Sequence, residues 1–138
     1  MSHDPAADQV WRMMSALVID NKAAWRRAAV NRTGLPFSRI RILRRLARQP
    51  MTVKQVAEAA TLDAPAATVA VNDLETRGLV VREIDPDNRR CKLVSLTDAG
   101  RNIITILDDI EDPAPQSLAT LGGQDLAALH RILTKLGR

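Results

Sequence analysis

One short stretch constrains this chain more than any other. Leu79–Ile84 and Lys92–Leu96 read as two strands. The residues between them, Asp85-Pro86-Asp87-Asn88-Arg89-Arg90, have the composition of a turn. Everywhere else the apolar residues recur at helical spacing. The expected fold class is therefore mainly α with a small β-hairpin, and the 138 residues suit a single domain, 1–138.

Helix punctuation fixes the order of the helices. Asp4-Pro5 combines an N-cap with proline at the first helical position, and predicts one long helix over residues 5–31. Val10, Met14, Leu17, Asn21 and Ala24 share one stripe of it. Trp11, Val18 and Trp25 recur every seven residues on the next stripe. Two such stripes meet either a second subunit or a broad core of the same chain. After the breaker Thr33-Gly34-Leu35-Pro36, Ser38 is expected to cap a helix over 39–48. Ile40, Ile42, Leu43, Leu46 and Ala47 should face inward, and Arg41, Arg44, Arg45 and Arg48 outward.

Thr52 should cap a helix over 53–60, with Val53, Val56, Ala57 and Ala60 inward. Asp63 should cap the next, with Pro65 in its first turn and an end at Thr76 before Arg77-Gly78. Ala67, Ala70, Val71 and Leu74 form its buried side. Past the hairpin, Thr97 caps a helix that carries Ile103, Ile104, Leu107 and Ile110 and that Pro113 and Pro115 must kink or break. A last amphipathic helix is expected over 124–136.

Charge is separated along the chain. From Lys22 to Lys54 there are ten bases (Lys22, Arg26, Arg27, Arg32, Arg39, Arg41, Arg44, Arg45, Arg48, Lys54) and no acid, whereas Asp108–Asp112 holds four acids. With a net charge of +4, this balance suits a partner with a polyanionic surface. Some of these bases are alternatively expected to pair with the acidic 108–112 segment.

Several function classes lose support. The single cysteine, Cys91, permits no intrachain disulfide and reads as an ordinary strand residue. His3 and His130 stand far apart, with no ligand spacing around them, so no metal and no cofactor is expected. No nucleophile has a base nearby in a known pattern and no phosphate-binding glycine loop is present, so no catalytic residue is assigned and the chain is not expected to be an enzyme. The opening MSHDPAADQV predicts no secretory leader, and no apolar run is long enough for a membrane helix. The expected compartment is a bacterial or archaeal cytoplasm.

Three helices over 39–76 followed by a hairpin make a winged helix-turn-helix. The residues from Leu35 to Gly100 also resemble the multiple antibiotic resistance regulator (MarR) family. The matching elements are Val56-Ala57, the run from Asp73 to Val80 with its Leu-Glu-x-x-Gly-Leu pattern, Arg89-Arg90 in the wing, and Leu96-Thr97-Asp98-Ala99-Gly100. The resemblance implies a transcription regulator in which 35–100 is the DNA-binding lobe. Residues 1–34 and 101–138 would supply N- and C-terminal dimerisation helices. It further implies a homodimer on pseudo-palindromic double-stranded DNA, and a repressor of the multidrug-resistance type, released by a small aromatic acid or phenol. The chain departs from the family's wing pattern at Asn88, where an aspartate usually stands, with Asp87 one residue early.

The expected DNA-facing residues are Arg39, Lys54, Ala64, Pro65, Thr68, Val69, Asn72, Arg77, Asn88, Arg89 and Arg90. The outer face of the 64–76 helix holds no base before Arg77, so Thr68 and Val69 are expected on thymine methyls and Asn72 on an adenine edge. Arginines on phosphates should carry most of the affinity. An effector pocket is expected from Met14, Val18, Trp25 and Phe37, with Arg26 or Arg32 on a carboxylate. The competing reading is a winged-helix module whose partner is another protein.

Overall fold

The structure, a computed structural model, describes residues 3–137. Eight helices and one hairpin follow in order among them. The first helix, α1 (Pro5–Asn21), opens as expected on Asp4, whose carboxylate accepts from the Ala6 and Ala7 N–H groups. The single helix anticipated over 5–31 is in fact two. It breaks at Lys22, and α2 (Ala23–Thr33) continues to the left-handed Gly34, whose N–H donates to the Val30 carbonyl. At the break, the Asn21 side chain donates to the Leu17 carbonyl, a local bond that competes with the helical ladder.

The next helix also shifts. It is α3 (Phe37–Leu46), preceded by Pro36 with no side-chain cap, so Ser38 lies in its first turn. Ile40, Ile42, Leu43 and Leu46 are buried. Ala47, expected inward, lies past the helix end and is exposed. By contrast, α4 (Val53–Ala60) has the predicted bounds. Thr52 and Gln55 form a reciprocal capping box there, with the Gln55 N–H donating to Thr52 Oγ1 and the Thr52 N–H to Gln55 Oε1. Helix α5 (Ala64–Thr76) begins on Asp63, and its Ala67, Ala70, Val71 and Leu74 are fully enclosed.

Strands β1 (Val80–Ile84) and β2 (Lys92–Leu96) pair antiparallel, with Val80 opposite Leu96 and Ile84 opposite Lys92. Met51 adds an isolated bridge to Val94, with N–H···O distances of 2.7 and 3.1 Å. Helix α6 (Asp98–Asp108) is capped by Thr97 and ends before Pro113 is reached. The prolines therefore lie in the connection to the one-turn α7 (Gln116–Ala119), and α8 (Gly123–Leu136) closes the chain.

One apolar cluster joins these elements. Trp25 and Ala29 from α2, Leu107 from α6 and the inner faces of α3, α5 and the hairpin are buried together. Truncating a fully enclosed leucine here, such as Leu43 or Leu74, would cost about 2–5 kcal/mol. Helices α1 and α8 bury no residue at all. Trp11, Ile19 and Leu136 are 68%, 72% and 66% exposed. The apolar stripes of α1 thus do not serve the core of this chain, and Trp25 is separated from them by the break at Lys22.

Candidate nucleic-acid interface

Helix α5 presents one continuous outer face. Ala64, Pro65, Thr68, Val69, Asn72 and Thr76 are all exposed, on the side opposite its buried alanines. Its start is fixed by Asp63, whose carboxylate accepts from the Ala66 N–H at 2.8 Å. The preceding turn passes through Thr61 in the left-handed region, at φ 56°. Lys54 lies exposed on α4.

Two of the expected arginines have partners. Arg39 donates from Nε to Asp73 at 2.8 Å, and Arg77 donates from Nε to both Asp73 oxygens at 3.1 and 3.2 Å. Asp73 is therefore bracketed by two guanidiniums. The hydrogen bond from Arg39, with help from Arg77, holds its carboxyl below the usual carboxylate range against a desolvation that works the other way. Since each bond uses Nε, the outer guanidinium edges of both arginines keep donors to offer.

The wing turn is held by its own backbone. The Asp85 N–H donates to the Cys91 carbonyl and the Asp87 N–H to Asp85 Oδ1. Asn88 accepts from the Arg90 N–H through Oδ1 at 3.2 Å and donates from Nδ2 to Cys91 Sγ at 3.5 Å. Asn88 thus braces the backbone of the turn and not a guanidinium. Arg89 and Arg90 are exposed, and neither has an ion-pair partner among the described residues.

One residue of this surface was not singled out from the sequence. Arg82 reaches from β1 to α5, where its guanidinium donates to Asn72 Oδ1 and its Nε lies 3.6 Å from a Glu75 oxygen. Asn72 and Glu75 are three apart on one helix face, which gave a sequence-level hint of a shared partner but not of its identity.

A cavity of about 250 Å³ lies between α1, α2 and α3, lined by Val18, Ile19, Lys22, Trp25, Arg26, Phe37 and Arg44 among others. Four of the six residues expected in an effector pocket meet there: Val18, Trp25, Arg26 and Phe37. Met14 does not line it. Arg32 is drawn away by Asp109, at 3.1 Å, just as Lys22 pairs with Asp112. The Trp25 and Phe37 rings meet edge to face at 6.2 Å, with Arg26 4.4 Å from the Phe37 centroid and Arg44 4.8 Å from that of Trp25.

The three-helix lobe with its exposed fifth helix and adjoining hairpin is a winged helix-turn-helix. The sequence pattern of the MarR family matches residues 33–90. Solved structures extend the likeness to the whole described chain. Apo MarR from E. coli is 18% identical with a TM-score of 0.68, and the alignment covers 98% of both chains. The transcriptional regulator BldR from Sulfolobus solfataricus is 21% identical with a TM-score of 0.64, over 98% of this chain and 99% of that one. A mutant of MepR from S. aureus, bound to an oligodeoxyribonucleotide, is 21% identical with a TM-score of 0.61, over 94% of each. Residues 33–90 thus follow the sequence pattern of the MarR family, and the described chain shares the fold of these solved structures.

Proposed function

We propose that the protein is a homodimeric, sequence-specific DNA-binding regulator, acting as a repressor that a small aromatic or phenolic acid releases. The observation that carries this reading is the exposed outer face of α5 together with the exposed wing residues Arg89 and Arg90, which have no ion-pair partner among the described residues. Each subunit would set α5 in a major groove, which is about 12 Å wide, and its wing against the neighbouring backbone or minor groove. Lys54, Arg39 and Arg77 would add phosphate contacts through their free donors. The uncovered apolar sides of α1 and α8 favour a second copy, so that 1–34 and 101–138 dimerise while 35–100 binds DNA. A dimer of this kind fits half-sites about 10–11 base pairs apart.

The cavity beside Trp25 suits the effector. Its aromatic edge-to-face pair offers apolar walls, and Arg26 and Arg44 offer cations to a carboxylate. A ligand that binds better when the two lobes are wrongly spaced for the operator would release DNA by population shift.

One observation favours a second reading, a protein-binding module: no base stands on the outer face of α5 between Ala64 and Thr76. Salt dependence separates the two. Fluorescence anisotropy on the protein's own upstream DNA and on scrambled DNA, over a salt series, should show preferential binding that weakens linearly with log salt. Weak binding without preference would overturn the DNA reading in favour of the protein partner.

A further inference from the structure

We infer that Arg82 sets the base preference of the recognition helix by fixing the orientation of the Asn72 amide. The inference rests on the DNA-binding reading and deepens it. An arginine side chain carries only donors, so the atom of Asn72 that meets it must be the amide oxygen. That leaves the amide nitrogen, a donor, as the free polar end of the exposed Asn72 side chain.

The orientation is held from a firm base. Arg82 sits in β1 opposite Val94, a fully enclosed residue of β2. Its Nε is shielded from solvent, lacks a hydrogen-bond partner among the described residues, and lies 3.6 Å from the Glu75 carboxylate. The Glu75 charge holds the guanidinium against α5. The guanidinium in turn holds the Asn72 oxygen three residues earlier on the same helix.

This geometry changes what Asn72 reads. A free asparagine pairs bidentately with adenine, donating to N7 and accepting from the N6 amino group. With its oxygen turned to Arg82, the Asn72 amide cannot set oxygen and nitrogen side by side on one base edge, so the bidentate adenine pairing is lost and the nitrogen donor is what it offers. It is then matched to a base edge that offers acceptors alone: guanine, with O6 and N7, or the O4 of thymine. Cytosine offers only an amino donor and adenine sets its amino donor beside N7, so both meet a lone donor less well than guanine or thymine. The adenine contact expected from the residue type gives way to a keto-base contact imposed by the neighbouring strand.

Selection of sites from a random duplex pool, with the intact protein, tests this. The column read by Asn72 is the one whose preference disappears with Asn72→Ala. Wild type should show guanine or thymine there. Arg82→Met, which keeps an apolar stem and removes the donors, should shift that column toward adenine by about fivefold or more. Arg82→Lys, which still donates, should retain the keto base, a rescue that a purely structural role would not produce. Adenine in the wild-type column, or no column that depends on Asn72, overturns the inference without touching the DNA-binding reading and needs no Arg82 variant to fold. Failure of the wild type to enrich any sequence overturns the DNA-binding reading, and this inference with it.

Discussion

Arg39 at the start of α3 donates to Asp73 in the last turn of α5 across 2.8 Å, and Arg77, four residues beyond Asp73, closes on the same carboxylate. The pair ties the recognition helix to the helix that supports it. It also means that one acid governs where two bases of the proposed DNA surface stand.

The bracket should be visible in the pH dependence of stability. Arg39 and Arg77 depress the folded-state pKa of Asp73. A depressed carboxyl contributes stability that is present above its unfolded pKa, about 3.9, and is lost as pH falls through the lower folded value. Asp73→Asn should therefore unfold at lower urea than wild type at neutral pH. The difference should shrink as the pH is brought below about 4. A constant gap over that range would show that the charge of Asp73 is not what stabilises the contact.

Gly100 should tolerate no side chain. A Cβ there would lie 2.2 Å from the Leu79 carbonyl oxygen. That oxygen already accepts from the Thr97 N–H at 3.1 Å, so it is not free to retreat. Gly100→Ala should lower stability by about 1–3 kcal/mol or more, measured by thermal melting followed by circular dichroism.

Thr61 should be improvable. A β-branched residue at φ 56° is strained, whereas asparagine accepts the left-handed region more readily. Thr61→Asn should raise stability by about 0.5–1 kcal/mol in urea unfolding. No change or a loss would mean that the threonine gains an offsetting contact in the turn.

The wing should outweigh the recognition helix in affinity. Arg89→Ala or Arg90→Ala should weaken operator binding more than Asn72→Ala does, and each should reduce the slope of log affinity against log salt by about one. Equal affinity of these variants and wild type at moderate salt would remove the wing from the interface.

Trp11→Asp should separate the subunits of the proposed dimer. Trp11 lies in the middle of α1, on a helix that buries nothing within its own chain. Light scattering should show a monomer with wild-type helix content. A dimer that survives would place the contact elsewhere, with α8 and its exposed Leu136 as the next surface to change.

Much of this was legible in the residues. Thr52, Asp63, Thr97 and Gly78 are local devices that act within a few residues, and the bounds of α4 and α5 and the start of α6 follow from them. Where punctuation was weaker, the reading slipped. Ser38 is a good cap by type, yet Pro36 and Phe37 begin α3 earlier. Lys22 itself is no helix breaker by type; the break there is accompanied by the Asn21 side-chain bond to Leu17 and the Lys22 contact with Trp25, both local, and by an ion pair with Asp112 made across the fold.

The sequence by itself determined the helices, the hairpin, the separation of charge and the residue types of the wing, because caps, turn residues and apolar periodicity are short-range physics. Only the tertiary structure decided which cations are engaged. Arg39 turns to Asp73, Arg32 to Asp109, and Arg82 to Asn72 and Glu75, whereas the bond from Arg77 to Asp73 four residues earlier is local. A side chain's charge is written in its residue type. Its partner depends on which helix the fold lays beside it, and that is settled by packing over the whole core.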